Sequence, residues 1–215
     1  MKTDRTCHPE KLHLHHVDDR LIVAEKPAGL LCQPGLGPEL ADSLITRLQR
    51  EWPTAQLVHR LDRDTSGLLL VAIDPAMHRA LSRLFAEREI VKTYLADVAG
   101  VPHQNEGTIT LAIAKHSHRP PLYGPDPLGK PCKTRWRRLQ AHGTWSRLEL
   151  SPETGRSHQL RVHLAAIGHA ILGDPLYGGR ETAPEVDRLR LHASDLGFLH
   201  PFSGIPLGFH SPCPF

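Results

Sequence analysis

Three short stretches concentrate residue types that can do chemistry. His59–Arg60–Leu61–Asp62–Arg63–Asp64–Thr65–Ser66–Gly67 places carboxylates, guanidiniums and an imidazole on a turn between apolar runs. Loops held by rigid strands are where catalytic side chains tend to sit, but an Asp in such a turn can also simply cap local backbone. Gly155–Arg156–Ser157–His158–Gln159–Leu160–Arg161–Val162–His163 is rich in donors and opens a short helical pattern. Ser157 is its candidate N-cap, and His158 and Arg161 lie three apart on one helical face. Such donors suit an anion or a carboxylate, or they are the solvated charges of a surface helix. Lys92–Thr93–Tyr94 interrupts an apolar strand, where the tyrosine is either a half-buried core residue or a ring set against a flat substrate.

The elements that must position these stretches read as a strand-rich α/β domain. Leu12 and Leu14 alternate with His13 and His15, and Leu21–Ala24 forms a second strand that ends at Lys26–Pro27–Ala28–Gly29, a turn signal. Residues 43–50 predict a helix. Residues 68–73 form a short apolar run between Gly67 and Pro75, consistent with a buried strand. Met77, Leu81 and Leu84 recur at helical spacing after Pro75. Residues 91–100 and 107–114 return to strand, 132–140 and 144–150 predict a strand pair joined near Gly143, and 158–168 predicts a short helix. There are no internal repeats and no low-complexity tract, so a few helices packed on a sheet are expected.

Composition excludes little. The 26 Lys/Arg against 23 Asp/Glu leave a formal charge of +3, common among enzymes of small substrates. The distribution says more. Lys130, Lys133, Arg135, Arg137, Arg138 and Arg147 fall in one run without an acidic residue, interleaved with Trp136 and Trp145. That pattern can bind a phosphate backbone and stack bases, or it can be a solvated sheet edge with two packed indoles. Cys7, Cys32, Cys132 and Cys213 form no CxxC pair, so neither a zinc site nor a disulfide framework is suggested. The chain opens without the apolar stretch of a signal peptide and holds no run of membrane-spanning length, so a cytoplasmic protein is expected.

Taken in order, Lys26–Pro27–Ala28–Gly29–Leu30, HRLDRDTSG at 59–67, Lys92–Thr93–Tyr94, GRSHQLRVH at 155–163 and Gly168 to Asp174 resemble the RluA-type pseudouridine synthases, from about Asp18 to the C-terminus. The resemblance implies an α+β fold with a mixed, mostly antiparallel central sheet. It implies one catalytic domain over 18–215 after an N-terminal extension of 1–17, acting as a monomer on structured RNA. It implies Asp62 as the catalytic aspartate, Tyr94 as the tyrosine that packs on the target base and helps remove the C5 proton, and Arg161 as the arginine paired with the aspartate. Arg60 matches the residue that enters the RNA stack where the uridine leaves. His59, Lys92, Arg156, His158, Lys133 and Arg135 complete the expected RNA contacts.

The chemistry fits those residue types. Pseudouridine formation breaks the N1–C1′ bond and rejoins the uracil through C5 without redox change or net hydrolysis, so neither metal nor organic cofactor is expected. A buried carboxylate needs a guanidinium within a few Å to stay charged. A base inside RNA must be flipped out, and a planar cation can fill the vacated stack. Attack at C1′ and removal of the C2′ proton both suit the carboxylate.

The Lys26–Pro27 motif comes early in the chain. With Arg119–Pro120, Gly129–Lys130–Pro131 and Thr134, it resembles the short branch, whose members act on tRNA anticodon stem-loops, large-subunit (23S) rRNA or both. Ala170 departs from the family's usual proline, and the loop around Tyr123 has no counterpart in the pattern. Two rivals remain: a non-catalytic RNA binder on the same fold, and a metal-dependent hydrolase suggested by 16 His residues. For the latter, His13/His15/His16 and His116/His118 are the tightest groups, but no carboxylate stands at zincin spacing.

Overall fold

The computed structural model describes residues 11–118, 121–178 and 186–215; Cys7 and Arg119–Pro120 lie outside them. The elements run β1 His13–Val17, β2 Leu21–Lys26, α1 Leu44–Leu48, β3 Gln56–Leu57, β4 Ser66–Ala72, α2 Pro75–Glu87, β5 Val91–Ala99, β6 Glu106–Ile109, β7 Ile113–His118, β8 Pro121–Pro125, β9 Thr134–Ala141, β10 Trp145–Pro152, α3 Gln159–Ala166, β11 Leu191–Leu199 and β12 Pro206–His210. The main sheet has the order β1-β2-β4-β11-β5-β10-β9-β6, with β12 on β11 and β3 on β4, while β7 and β8 pair separately. Among the described strands only β4 and β11 run parallel. This is the mixed, mostly antiparallel sheet expected.

The parallel contact explains the glycine of the Thr65–Ser66–Gly67 stretch. Gly67 has φ +115°, and a Cβ there would run into the Ala193 carbonyl of β11. Only glycine tolerates both the angle and the approach. β2 and β4 are buried on both faces. Ile22, Ala24, Leu69 and Val71 pack with α1, Cys32 and Leu61, whereas Leu21, Val23, Leu68 and Leu70 pack against Met77, Leu81 and Leu84 of α2. Strands covered on both sides read as continuous apolar runs, as 68–73 does. Ser43 caps α1 through Thr46, and Asp74 caps α2 through the N–H groups of Ala76 and Met77.

Three expectations change in detail. Residues 107–114 form two strands rather than one. Ile109 packs with Trp136 while Ile113 packs with Cys132 and Val162, so the apolar alternation continues around a corner where the chain leaves the sheet. Ser157 does not cap α3. His158 holds the cap position with left-handed backbone (φ 55°) and no side-chain cap bond, and Gln159 Oε1 instead accepts from the Arg156 N–H and the Thr154 hydroxyl. Within the stretch read as an extension, β1 pairs with β2 and forms the sheet's edge.

Candidate active site

A cleft crosses the centre of the sheet, lined by the β3–β4 loop, the start of β5, the β10–α3 turn and α3 itself. Asp62 sits on the first of these walls, and the core beneath holds it there. Leu61 is buried in the α1-side cluster, its backbone bracketing the Cys32 thiol: its N–H donates to Sγ, and Sγ donates to its carbonyl, both at 3.2 Å. Lys26 is fully buried, and its ammonium donates to the carbonyls of Pro27, Leu30 and Arg63, each at 2.8 Å. Three donors meet three acceptors, so nothing is left unsatisfied. The lysine thereby ties the Lys26–Leu30 turn to the Asp62 loop, and burial pushes its pKa down to about 8.

Across the cleft, Arg161 is 4% exposed at its side chain and faces two carboxylates. Nε and Nη2 donate to Asp174 at 2.8 Å each, and Nη1 donates to Asp62 at 3.1 Å. Burial pulls the guanidinium pKa down. Asp174 and then Asp62 more than offset this, so it ends above its ordinary value. Asp174, fully buried at its side chain, also accepts from the N–H groups of Leu176 and Tyr177. Asp62 remains 20% exposed toward the cleft.

His158 completes the wall. The Tyr123 N–H donates to the Tyr177 hydroxyl at 3.0 Å, so the Tyr177 O–H is free to donate to His158 Nδ1 at 2.7 Å. The other ring nitrogen, Nε2, lies 3.9 Å from Asp62 Oδ1. Burial lowers the His158 pKa, and the Asp62 charge offsets part of that. Tyr94, on β5 opposite Ala193 and Leu150, packs between two core clusters and borders the cleft. Burial, followed by the Asp62 charge, raises its phenol pKa, so the ring is a protonated phenol at neutral pH.

The arrangement is a partly open carboxylate, clamped by a buried guanidinium, under an aromatic ring and a rim of cations. It agrees with what comparison shows. The RNA pseudouridylate synthase family matches residues 20–166. The chain belongs to that family. It is 45% identical over 200 residues to the dual-specificity RNA pseudouridine synthase RluA of Yersinia pestis, covering 92% of this chain and 97% of the relative. To the protein of the same name from Escherichia coli strain K12 it is 44% identical, covering 92% and 91%. The structure of human RNA pseudouridylate synthase domain containing 1 superposes with a TM-score of 0.77 at 31% identity, covering 96% of this chain and 85% of that one.

Within this pseudouridine synthase, Arg60, Asp62, Lys92, Tyr94, Arg156, His158 and Arg161 all line the one cleft, although they come from three distant stretches. His59 does not. Its Nε2 accepts from the Leu70 N–H at 2.9 Å and its ring stacks near Phe85, so it pins the loop to β4. Lys133 and Arg135 sit beside the cleft's β10 rim and share Glu153, at 2.9 and 2.7 Å. Arg137 pairs with Glu149 and Arg147 with Asp97, while Arg138 donates to Asn105 and the Pro102 carbonyl. Trp136 is buried and Trp145 stacks on His142. The basic run is therefore largely paired by acids that reach it across neighbouring strands.

Three contributors had no role in the sequence reading: Lys26, Asp174 and Tyr177. The first two stood in recognised motifs, but their partners are tertiary. Among the described residues, the one group of three ligand-type side chains whose donor atoms lie within 4.8 Å of each other is His13, His15 and Glu25, and it does not line the cleft.

Burial depresses His59 to about 3 and also lowers His158, His163 and His192. Between the folded pKa and the ordinary value near 6.5, the unfolded chain binds more protons than the folded one. The stability that these histidines carry is therefore complete above about pH 6.5 and falls as pH drops. From 6.5 to 5, His59 alone accounts for about 2 kcal/mol, or roughly 4–8 °C in thermal midpoint. Thermal unfolding at constant ionic strength should show that fall, and His59→Asn, which accepts a hydrogen bond but cannot titrate, should flatten it. A midpoint flat from pH 7.5 to 5 would refute the assignment.

Proposed function

We propose that this enzyme isomerises uridine in structured RNA, in a tRNA anticodon stem-loop, large-subunit rRNA or both, with Asp62 as the catalytic carboxylate. The observation that carries the reading is the Asp62–Arg161–Asp174 arrangement. Arg161 spends two of its nitrogens on a buried acid and turns the third toward the one carboxylate that opens into the cleft. In the reaction the N1–C1′ bond breaks, the C5–C1′ bond forms, and the C5 proton is replaced by one on N1, so nothing is consumed and no cofactor is called for. RNA seated over the cleft shields the detached uracil from water's competition. Tyr94, held as a neutral phenol, packs on the base. Its protonated state supports that role over direct uptake of the C5 proton. Arg60 is exposed at the cleft mouth and suits the vacated stack. The proposed setting is the cytoplasm, the proposed active form a monomer of one catalytic domain that takes in β1 together with 18–215. No helix among the described residues is long and apolar enough to cross a membrane. The dual-specificity label of the relatives supports more than one RNA target.

The test is to map pseudouridines by chemical probing in tRNA and rRNA from cells lacking the gene, rescued with wild type or Asp62→Ala. Sites that vanish and return only with wild type name the substrate. Equal rescue by Asp62→Ala would leave an RNA binder in place of an enzyme.

The rim cations have a quantitative signature. Neutralising Arg60 or Arg156, both exposed and without an ion pair among the described residues, should each lower the salt slope of RNA binding by about 1. Neutralising Lys133 and Arg135 together should lower it by about 1 rather than 2, because Glu153 already cancels one of those charges. Turnover of bound RNA should be unchanged in the double variant. An unaltered affinity and slope would remove both residues from the RNA interface.

A further inference from the structure

The β1–β2 edge brings together three metal-ligating side chains that the proposed reaction does not use. Glu25 Oε2 lies 2.9 Å from His15 Nε2 and 3.4 Å from His13 Nδ1, and the two imidazole centroids are 4.4 Å apart. We infer that His13, His15 and Glu25 form a binding site for a divalent transition ion of the zinc type.

Backbone geometry builds the cluster. His13 is the direct cross-strand partner of Glu25, and the register slips between Leu14 and His16, which leaves His15 as an extra residue. Such a bulge re-aims a side chain, here onto the carboxylate its neighbour already meets. The donor atoms all lie within 4.8 Å of one another, close enough to share one ion. At 3.4 Å the His13 contact is long for a strong hydrogen bond. Nitrogen and oxygen donors at about 2.1 Å from a tetrahedral zinc sit about 3.4 Å from one another, which the His13 contact already matches, and the His15 contact at 2.9 Å lengthens slightly on binding.

Two imidazoles and one carboxylate, with the remaining position left to water, are a donor set that zinc accepts and that magnesium, which prefers oxygen, does not. Access is also in place. His13 is 70% exposed at its side chain and open to an incoming ion, whereas His15 at 12% and Glu25 at 27% are held.

The carboxylate has a built support behind it. Arg188 donates to the Ser66 hydroxyl at 2.6 Å, Ser66 donates to His192 Nδ1 at 2.8 Å, and His192 Nε2–H donates to the Ser211 carbonyl and hydroxyl at 3.1 Å. The buried Ser211 hydroxyl in turn stabilises the charged form of Glu25. Every donor in this chain points one way, toward the Ser211 hydroxyl behind the ligand carboxylate, and both imidazoles meet that carboxylate at Oε2. Outer partners of this kind orient metal ligands and hold them ready. The bound ion would clip the edge strand β1 to β2, so its effect is on stability and not on catalysis.

The experiment is equilibrium dialysis and calorimetry of tag-free protein with zinc chloride, with magnesium chloride as control. One zinc per chain is expected, with affinity about 100-fold lower in His15→Asn and Glu25→Gln and about tenfold lower in Ser211→Ala. At zinc tenfold above its dissociation constant the folding equilibrium should rise about 11-fold and the thermal midpoint by about 3–6 °C, in wild type alone. Pseudouridine formation by His13→Asn and His15→Asn should match wild type, which also shows that both variants fold. Absence of saturable zinc binding overturns the site. So does one-to-one binding that survives His15→Asn, which would place the ion on other histidines.

Discussion

Asp62→Asn should retain its fold and its RNA and lose pseudouridine formation by about 10⁴-fold or more. The substitution is nearly isosteric, and an amide oxygen can still accept from Arg161 Nη1, now 3.1 Å from Asp62 Oδ2. Asp62 is partly open to the cleft, and Arg161 keeps both bonds to Asp174, so removing the charge strands no buried cation. Binding rests on other residues, since Arg60, Lys92 and Arg156 form the cationic lining. The reacting ribose loses the negative oxygen that both candidate routes require. Losses of about 10⁴-fold and above are typical when the covalent or proton-transferring group of an enzyme is removed. Single-turnover assays with enzyme in excess, beside a binding isotherm and a melting curve, separate the three quantities. Residual turnover within about tenfold of wild type, with RNA bound normally, would take the reaction away from Asp62.

How far the sequence reached depends on whether a feature is local. The helix begun by Pro75 and the strand after Gly67 rest on period and punctuation, and both stand as expected. Asp62, Tyr94 and Arg161 were singled out from separate motifs, and the fold brings all three to one cleft. What escaped are relations between residues far apart in the chain. The run at 130–147 has no acid of its own, yet Glu149 and Glu153 from β10 and its end, and Asp97 from β5, pair with Arg137, Lys133, Arg135 and Arg147. Cross-strand pairing of that kind is invisible to a window that slides along one strand. His59 stands next to Arg60 in sequence, but a strand-entry turn sends one side chain to the core and the other to solvent. Gln159, not Ser157, serves the start of α3, because the left-handed His158 turns the preceding backbone toward it. That backbone position is sparsely populated by non-glycine residues, and such outliers gather at functional sites.

The same distinction decides the second large effect, at Asp174. Asp174→Asn keeps the oxygen that caps Leu176 and Tyr177 but removes the charge facing a guanidinium that is only 4% exposed. Breaking a buried pair from one side costs about 3–5 kcal/mol. Asp62 still holds Nη1, so the lower end applies, about 3 kcal/mol, or roughly 6–12 °C for a domain of this size. Activity should fall as well, because Nε loses its acceptor and meets an amide NH₂ instead, which pushes Arg161 toward Asp62 and displaces the carboxylate from the ribose. A loss confined to stability would leave turnover intact well below the melting range, so assays at low temperature isolate the positional part. A double variant, Arg161→Met with Asp174→Asn, separates the two further, because it keeps the cap oxygen and removes the cation. With the guanidinium gone, no buried charge is left without its partner. The double variant should therefore melt above Asp174→Asn while staying inactive. If it melts no higher, the single variant's defect is lost packing and not a stranded charge. If it regains turnover, Arg161 has no part in holding Asp62.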